Sequence, residues 1–384
     1  MSGRARHALS VAAALVIVGA GAGPSPAGAE ALAAVAAPVR VPAWIQDVTL
    51  DGFVSGSYSH NFGVPASRTN TLRVFDIDDD SFTLDVAELV AQKAAAQPRE
   101  TGFRVDLALG SSIPRVSSAL GLFRTATSAE DVDLQQAYAT YVAPAGSGLK
   151  LDFGKFVTPN GYEVIDGYDG WNDNATRSLL FGYAIPFTHV GVRAGYTFSP
   201  RVSGLLLLVN GWDVVRDDNR AKTIGAQLAF MPVAPLSIVM NAMTGAERAN
   251  SEGDRRTLLD VVAVWKPRPA LAFGLNGDVG REDGAVVAGE TARWDGIAAY
   301  ARLAGHGGLA LSVRGETFED LDGSRTGVAQ RLRELTLTPE ARVSSHMVVR
   351  GDLRFDHSDH SVFEHRDGTS VSQTTALIGV LYSF

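Results

Sequence analysis

Apolar and polar side chains alternate along most of the chain, in runs of about ten residues. TGFRVDLALG sets Phe103, Val105, Leu107 and Leu109 against Arg104, Asp106 and Ala108. THVGVRAGYTF sets Val190, Val192, Ala194, Tyr196 and Phe198 against Gly191, Arg193, Gly195 and Thr197. LALSVRGETF and MVVRGDLRF repeat the pattern, with Arg314, Glu316, Arg350, Asp352 and Arg354 on their polar faces. Successive side chains of a strand point to opposite faces, so a period of two predicts strands rather than helices. Two architectures accept strands with one apolar and one charged face: a sandwich with the apolar faces inside, or a membrane barrel with them outside.

The connections decide between these. Short ones are predicted at Ser199-Pro200, Pro232 to Ala234, Pro267-Arg268, Gly305 to Gly307 and Pro339 to Ala341. They alternate with long polar ones near 212–221, 245–255, 281–292, 319–329 and 355–372. Short turns at one end and long loops at the other are the organisation of outer-membrane barrels. Carried to the N-terminal side, the same parity gives an all-β, antiparallel, up-and-down transmembrane barrel of about sixteen strands, with fourteen or eighteen as the alternatives. NTLRVFDID, near 70–78, reads as loop or strand extension, and LDVAELVAQKAA is the weakest strand because its apolar spacing also suits a helix.

The C-terminal ALIGVLYSF carries Ile378, Val380, Tyr382 and Phe384 on one face. An unpaired apolar edge invites aggregation, so this strand is expected to close the cylinder against the first. A terminal Phe after alternating apolar residues also resembles the signal that delivers bacterial barrels to their assembly machinery.

Residues 1–29 combine Arg4 and Arg6, an apolar run and Ala27-Gly28-Ala29, the layout of a cleaved secretory signal. Residues 30–47 read as a flexible lead-in and 48–384 as the barrel. No cysteine is present, so hydrogen bonding and packing must hold the fold. The net charge of −8, without a concentrated basic face, argues against nucleic-acid binding.

TRSLLFGYAIPFTHVGVR (Thr176 to Arg193), VNGWD (Val209 to Asp213) and LKLDFGKFVTPNGYEVID (Leu149 to Asp166) together resemble the OmpL-like β-barrel porin family of outer-membrane proteins. The resemblance extends over about 48–384 and is most specific between 149 and 213. It implies a barrel in the bacterial outer membrane with pore activity for small polar solutes or ions. Lipid and lipopolysaccharide would surround it, and a homotrimer is familiar for barrels of this size. It implies no catalytic residue and no cofactor.

A sixteen-stranded barrel is wide enough for an aqueous lumen, whose selectivity rests on charges at its narrowest point. The expected pore lining is Arg104, Asp106, Lys150, Asp152, Arg193, Arg314, Glu316, Arg350, Asp352 and Arg354. The long connection near 157–187 is the constriction-loop candidate, with Glu163, Asp166, Asp169, Asp173 and Arg177. An acidic loop opposed to a basic wall would set a field across the opening. His357, His360 and His365 lie in DHSDHSVFEH without a defined metal-ligand spacing, and a solvated loop is the expectation there. DIDDD, with Asp76, Asp78 and Asp80, lacks the rest of a calcium loop. His189 with Ser178 is the one pair worth inspecting for hydrolysis, and no nucleophile elbow accompanies it. A non-conducting barrel with an adhesive or structural role shares every fold signal above.

Overall fold

The computed structural model describes residues 47–113, 131–217 and 219–384. The expected export signal (1–29) and the lead-in up to residue 46 lie outside the described residues. Sixteen antiparallel strands form a closed barrel. In chain order they are β1 (Thr49–Asn61), β2 (Ser81–Lys93), β3 (Thr101–Gly110), β4 (Asp131–Ala143), β5 (Leu149–Val157), β6 (Thr188–Ser199), β7 (Val202–Val209) and β8 (Thr223–Val233). The second half adds β9 (Leu236–Ala246), β10 (Arg255–Arg268), β11 (Leu271–Asp283), β12 (Thr291–Ala304), β13 (Leu309–Asp320), β14 (Gln330–Arg342), β15 (Met347–Ser358) and, after a small hairpin of β16 (Phe363–His365) and β17 (Gly368–Ser370), β18 (Ser372–Ser383).

Each barrel strand pairs with the next along the chain, β15 with β18 past the small hairpin, and β18 pairs with β1 to close the ring, from Phe53 opposite Ser383 to Asn61 opposite Thr375. Closure leaves the wall without an open edge, and its strands satisfy one another along the ladders. The end of the chain is therefore covered: the backbones of Gly52 and Phe384 exchange hydrogen bonds of 2.9 and 3.0 Å. Ile378, Val380, Tyr382 and Phe384 project outward, while Leu377 and Leu381 turn inward and are buried.

Outward aromatic pairs gather beside the short turns: Tyr196 edge-on to Phe198, Trp265 stacked with Phe273, and Tyr382 tilted against Phe384. Such a girdle suits the level where hydrocarbon meets headgroups.

Three predicted turns are displaced. Pro232 and Val233 belong to β8, and the turn follows at Ala234-Pro235. Pro267 and Arg268 belong to β10, and the turn follows at Pro269-Ala270. Pro339 to Ala341 lie inside β14, which runs to Arg342 before the turn at Val343 to His346. Pro339 stays in register with Leu311 of β13, whereas the pairing with β15 lapses at Thr338 and Pro339 and resumes at Glu340 opposite Arg350. A strand accepts a proline where the ladder is already interrupted, so proline there marks an irregularity and not a turn. NTLRVFDID is loop, pinned by an isolated bridge between Thr69 and Asp78, and LDVAELVAQKAA is strand β2.

Candidate functional site: a loop folded across the barrel

Three loops at the long-loop end matter here: 62–80 after β1, 158–187 after β5 and 210–222 after β7. The second crosses the interior. Its Tyr168 N–H donates to Glu88 on β2 (2.8 Å), and its Gly161 N–H to Asp260 on β10 (3.1 Å). Its Tyr162 N–H donates to Asn276 on β11 (3.1 Å), and its Ala184 carbonyl accepts from Trp294 Nε1 on β12 (3.2 Å). Further along, Leu179 N–H donates to Glu316 on β13 (2.7 Å) and Thr176 N–H to Asp352 on β15 (2.6 Å). A segment bound to walls this far apart around the ring must lie inside it.

Its charges are taken up one by one. Glu163 meets Arg314 at 2.8 Å, Asp166 meets Arg350 at 2.7 Å and Arg177 at 2.9 Å, Asp169 meets Arg104 at 2.6 Å, and Asp173 meets Arg302 at 3.2 Å. The loop acids and wall arginines thus touch instead of facing each other across an opening, which corrects the expectation of a transverse field between them. These pairs pin the loop. Burial alone would raise the Asp166 carboxyl, but Arg177 and Arg350 outweigh it and hold the group below its usual range. For Asp173 burial wins over Arg302, and its carboxyl is pushed up.

The other wall charges also face inward. Arg354 donates to Asp356 (2.9 Å) and to the Arg177 carbonyl (2.5 Å). Arg314 adds bonds to Glu334 (2.9 Å) and to the Thr176 carbonyl (2.7 Å) and is fully buried. Arg104 holds Asp106 with 2.8 and 2.9 Å bonds. Lys150, Asp152 and Arg193 make a separate group: Arg193 Nε lies 2.8 Å and Lys150 Nζ 3.9 Å from Asp152. It leaves the loop acids untouched.

The apolar run LLFGYAIPF, which begins at Leu179 and contains a π-helical turn at Leu180–Ala184, is what makes the loop fold in. A solvated loop has no use for it. Leu180, Phe181, Ile185 and Phe187 bury against Trp294, Phe318, Leu258 and Leu332 of the wall. The first loop follows it inward: Phe75 packs 5.6 Å from both Phe181 and Phe187, and Arg73 pairs with Asp356 at 2.5 Å.

The remaining family-like residues clamp the two ends of the crossing loop together. His189 contacts Thr158 Oγ1 (3.1 Å) and the Gly211 carbonyl (3.0 Å). Asp213 accepts from the Phe187 and Thr188 N–H groups at 2.6 and 2.9 Å. Burial pushes the Asp213 carboxyl up to about 6 despite those two donors. His189 is thus a clamp, and Ser178 lies elsewhere, donating its N–H to Glu163 (2.9 Å) and accepting from Phe181 (3.0 Å).

One side of the interior is left open. Between the crossing loop and the β2–β5 wall lies a cavity of about 350 Å³, lined by Glu88, Arg104, Gln135, Gln136, Thr158 and Asp169 among others. The loop candidates for metal do not converge: His357 contacts Ser372 (3.0 Å), His360 contacts Asp359 (2.9 Å), and His365 lies beside Gly63. Asp76 pairs with Arg73, Asp79 accepts from the Asn61 N–H (2.6 Å) and Asp80 accepts from Tyr58 (2.5 Å).

Comparison with known families matches residues 47–384 to the one described as "Putative beta-barrel porin-2, OmpL-like". The chain belongs to that family. This porin shares its fold with solved barrels at low identity. The anion-selective porin from Comamonas acidovorans superposes with a TM-score of 0.59 at 11% identity, covering 88% of this chain and 99% of that one. The outer membrane channel DcaP of Acinetobacter baumannii gives 0.58 at 11%, over 88% and 97%. The trimer form of Vibrio cholerae OmpT gives 0.56 at 12%, over 88% and 99%. None of the curated proteins matches the chain.

Sequence reasoning missed Glu88, Arg302, Thr176 and Asp213, and the entry of the first loop. The signal for the loops was an apolar run too long for solvent exposure. For Glu88 none was available, because only the register of β2 turns it inward.

Proposed function

We propose that this outer-membrane porin provides a passive, water-filled pathway for small polar solutes and ions, running between the crossing loop and the β2–β5 wall. The observation that carries this reading is the 350 Å³ cavity on that side, whose lining includes Glu88, Arg104, Gln135, Gln136 and Asp169, set against the apolar packing that fills the side of β10 to β14. In this reading the inward residues Arg104 and Asp106, with Lys150, Asp152 and Arg193 toward the short-turn end, line the pathway. Arg314, Glu316, Arg350, Asp352 and Arg354 line the lumen by holding the loop in place, and Glu163, Asp166, Asp169, Asp173 and Arg177 form the constriction loop itself. The short turns face the periplasm and the long loops the exterior. Export through a cleaved signal at 1–29, recognition of the terminal Phe384 stripe by the assembly machinery, lipopolysaccharide at the outer rim and a homotrimer complete the proposal. The trimer form of OmpT supports the last point by fold alone.

Liposome swelling tests the pathway. Vesicles carrying the refolded porin are expected to admit small polyols and amino acids quickly and to slow steeply as solutes reach disaccharide size. Swelling no faster than in empty vesicles contradicts it.

A further inference from the structure

Among the described residues, the charges around the open cavity do not balance. Arg104 is the one described cation in its lining, and it is already divided between two carboxylates, Asp106 at 2.8 Å and Asp169 at 2.6 Å. Glu88 stands in the same lining and makes no ion pair among the described residues. Its Oε2 accepts the Tyr168 N–H at 2.8 Å, and the loop reaches it closely because residue 167 is glycine: a Cβ there would sit 2.8 Å from the same oxygen. A second acceptor is unused. Gln135 is only 4% exposed, lines the cavity, and its Oε1 has no hydrogen-bond partner among the described residues. A buried oxygen without a donor costs free energy that a bound cation or its water removes. The nearest further cations among the described residues of this wall are spoken for: Arg193 and Lys150 share Asp152, and Lys155 holds Asp133 at 2.8 Å.

We propose that this cavity is a cation-selective passage, in which Glu88 and the Gln135 carbonyl receive small hydrated cations such as alkali ions and ammonium groups. The deduction rests on the channel reading above and sharpens it. Charged side chains at a narrow, low-dielectric constriction concentrate counter-ions and set the sign of selectivity. Here the excess is negative, in contrast to the anion-selective porin that shares the fold.

The full-length porin, refolded and inserted in a planar bilayer, is placed across a potassium chloride gradient and its reversal potential recorded. Potassium is expected to permeate at least about 3-fold more readily than chloride, and Glu88→Gln, which keeps an acceptor for Tyr168, to lower that ratio by about 2-fold or more. Added magnesium is expected to reduce the potassium current of the wild-type protein. A reversal potential at zero, or of the sign for chloride, overturns the proposal even where the pore conducts. An unchanged ratio in a folded Glu88→Gln channel overturns the role of Glu88. Should that variant not fold, the wild-type sign and the magnesium effect decide alone. Absence of any current from folded, inserted protein instead removes the channel reading beneath it.

Discussion

At the residue scale, the interior is governed by what a buried charge requires. Arg314 is fully buried and satisfies Glu163, Glu334, Thr336 and two groups of Thr176. Replacing it by Met leaves the buried Glu163 without its counter-charge and Glu334 with Arg354 alone, at 3.8 Å, and breaking such a pair from one side costs roughly 3–5 kcal/mol. Urea unfolding of the refolded Arg314→Met protein, followed by tryptophan fluorescence, is expected to show that loss, and adding Glu163→Gln to recover part of it. Asp213 gives a pH dependence of opposite sense to an ordinary salt bridge. Its carboxyl is raised to about 6 by burial, above the usual value of about 3.9, so the folded state favours the protonated form. Its contribution is complete below pH ~4 and lost as pH rises through ~6, a difference of about 3 kcal/mol. Asp213→Asn, which keeps the acceptor and tolerates the positive φ of 60°, is expected to gain on the wild type by that order between pH 4 and 7 in paired unfolding curves. An equal slope for both proteins would contradict the assignment. Little of this was legible in the sequence. The charged faces of Arg314, Arg350 and Arg354 followed from the two-residue period, but which acid each one holds depends on a loop path that no period encodes.

At the element scale, the strands were readable because hydrocarbon outside and water inside impose a strict alternation on every one of them. The sixteen predicted strands correspond to the sixteen of the barrel. Errors fell where proline was read as a turn: Pro232 and Pro267 occupy strand ends, and Pro339 a lapse in the ladder. The crossing loop was recognisable by length, and its anchoring was not. Close packing beneath it gives a sharp test at Gly280, where an added Cβ would lie 2.0 Å from the buried Trp294 ring. Gly280→Ala is expected to cost about 1–3 kcal/mol in the same unfolding assay, since overpacking displaces the ring or the wall. Gly277→Ala, whose nearest neighbour is the Gly296 carbonyl at 3.9 Å, is expected to stay within about 0.5 kcal/mol of the wild type. Equal effects at the two glycines would mean that the ring does not rest on β11 as described.

At the scale of the whole molecule, the barrel solves two problems with one surface pattern. Pairing β18 with β1 removes the edges, and the alternation of each strand puts lipid-compatible residues outside and charges within. The family match and the closed fold place the protein among outer-membrane porins. In the proposed function the crossing loop narrows a conducting pathway without sealing it. Single-channel recording in planar bilayers, comparing the refolded porin with a variant whose residues 160–185 are replaced by a short Gly-Ser linker, tests that claim most directly. Discrete openings are expected from both proteins, larger by about 2-fold or more without the loop, because a sixteen-stranded cylinder encloses an aqueous channel once cleared. Openings of equal size would show that the loop is not the narrowing, and silence from folded, inserted wild-type protein beside a conducting variant would show that the loop is a plug.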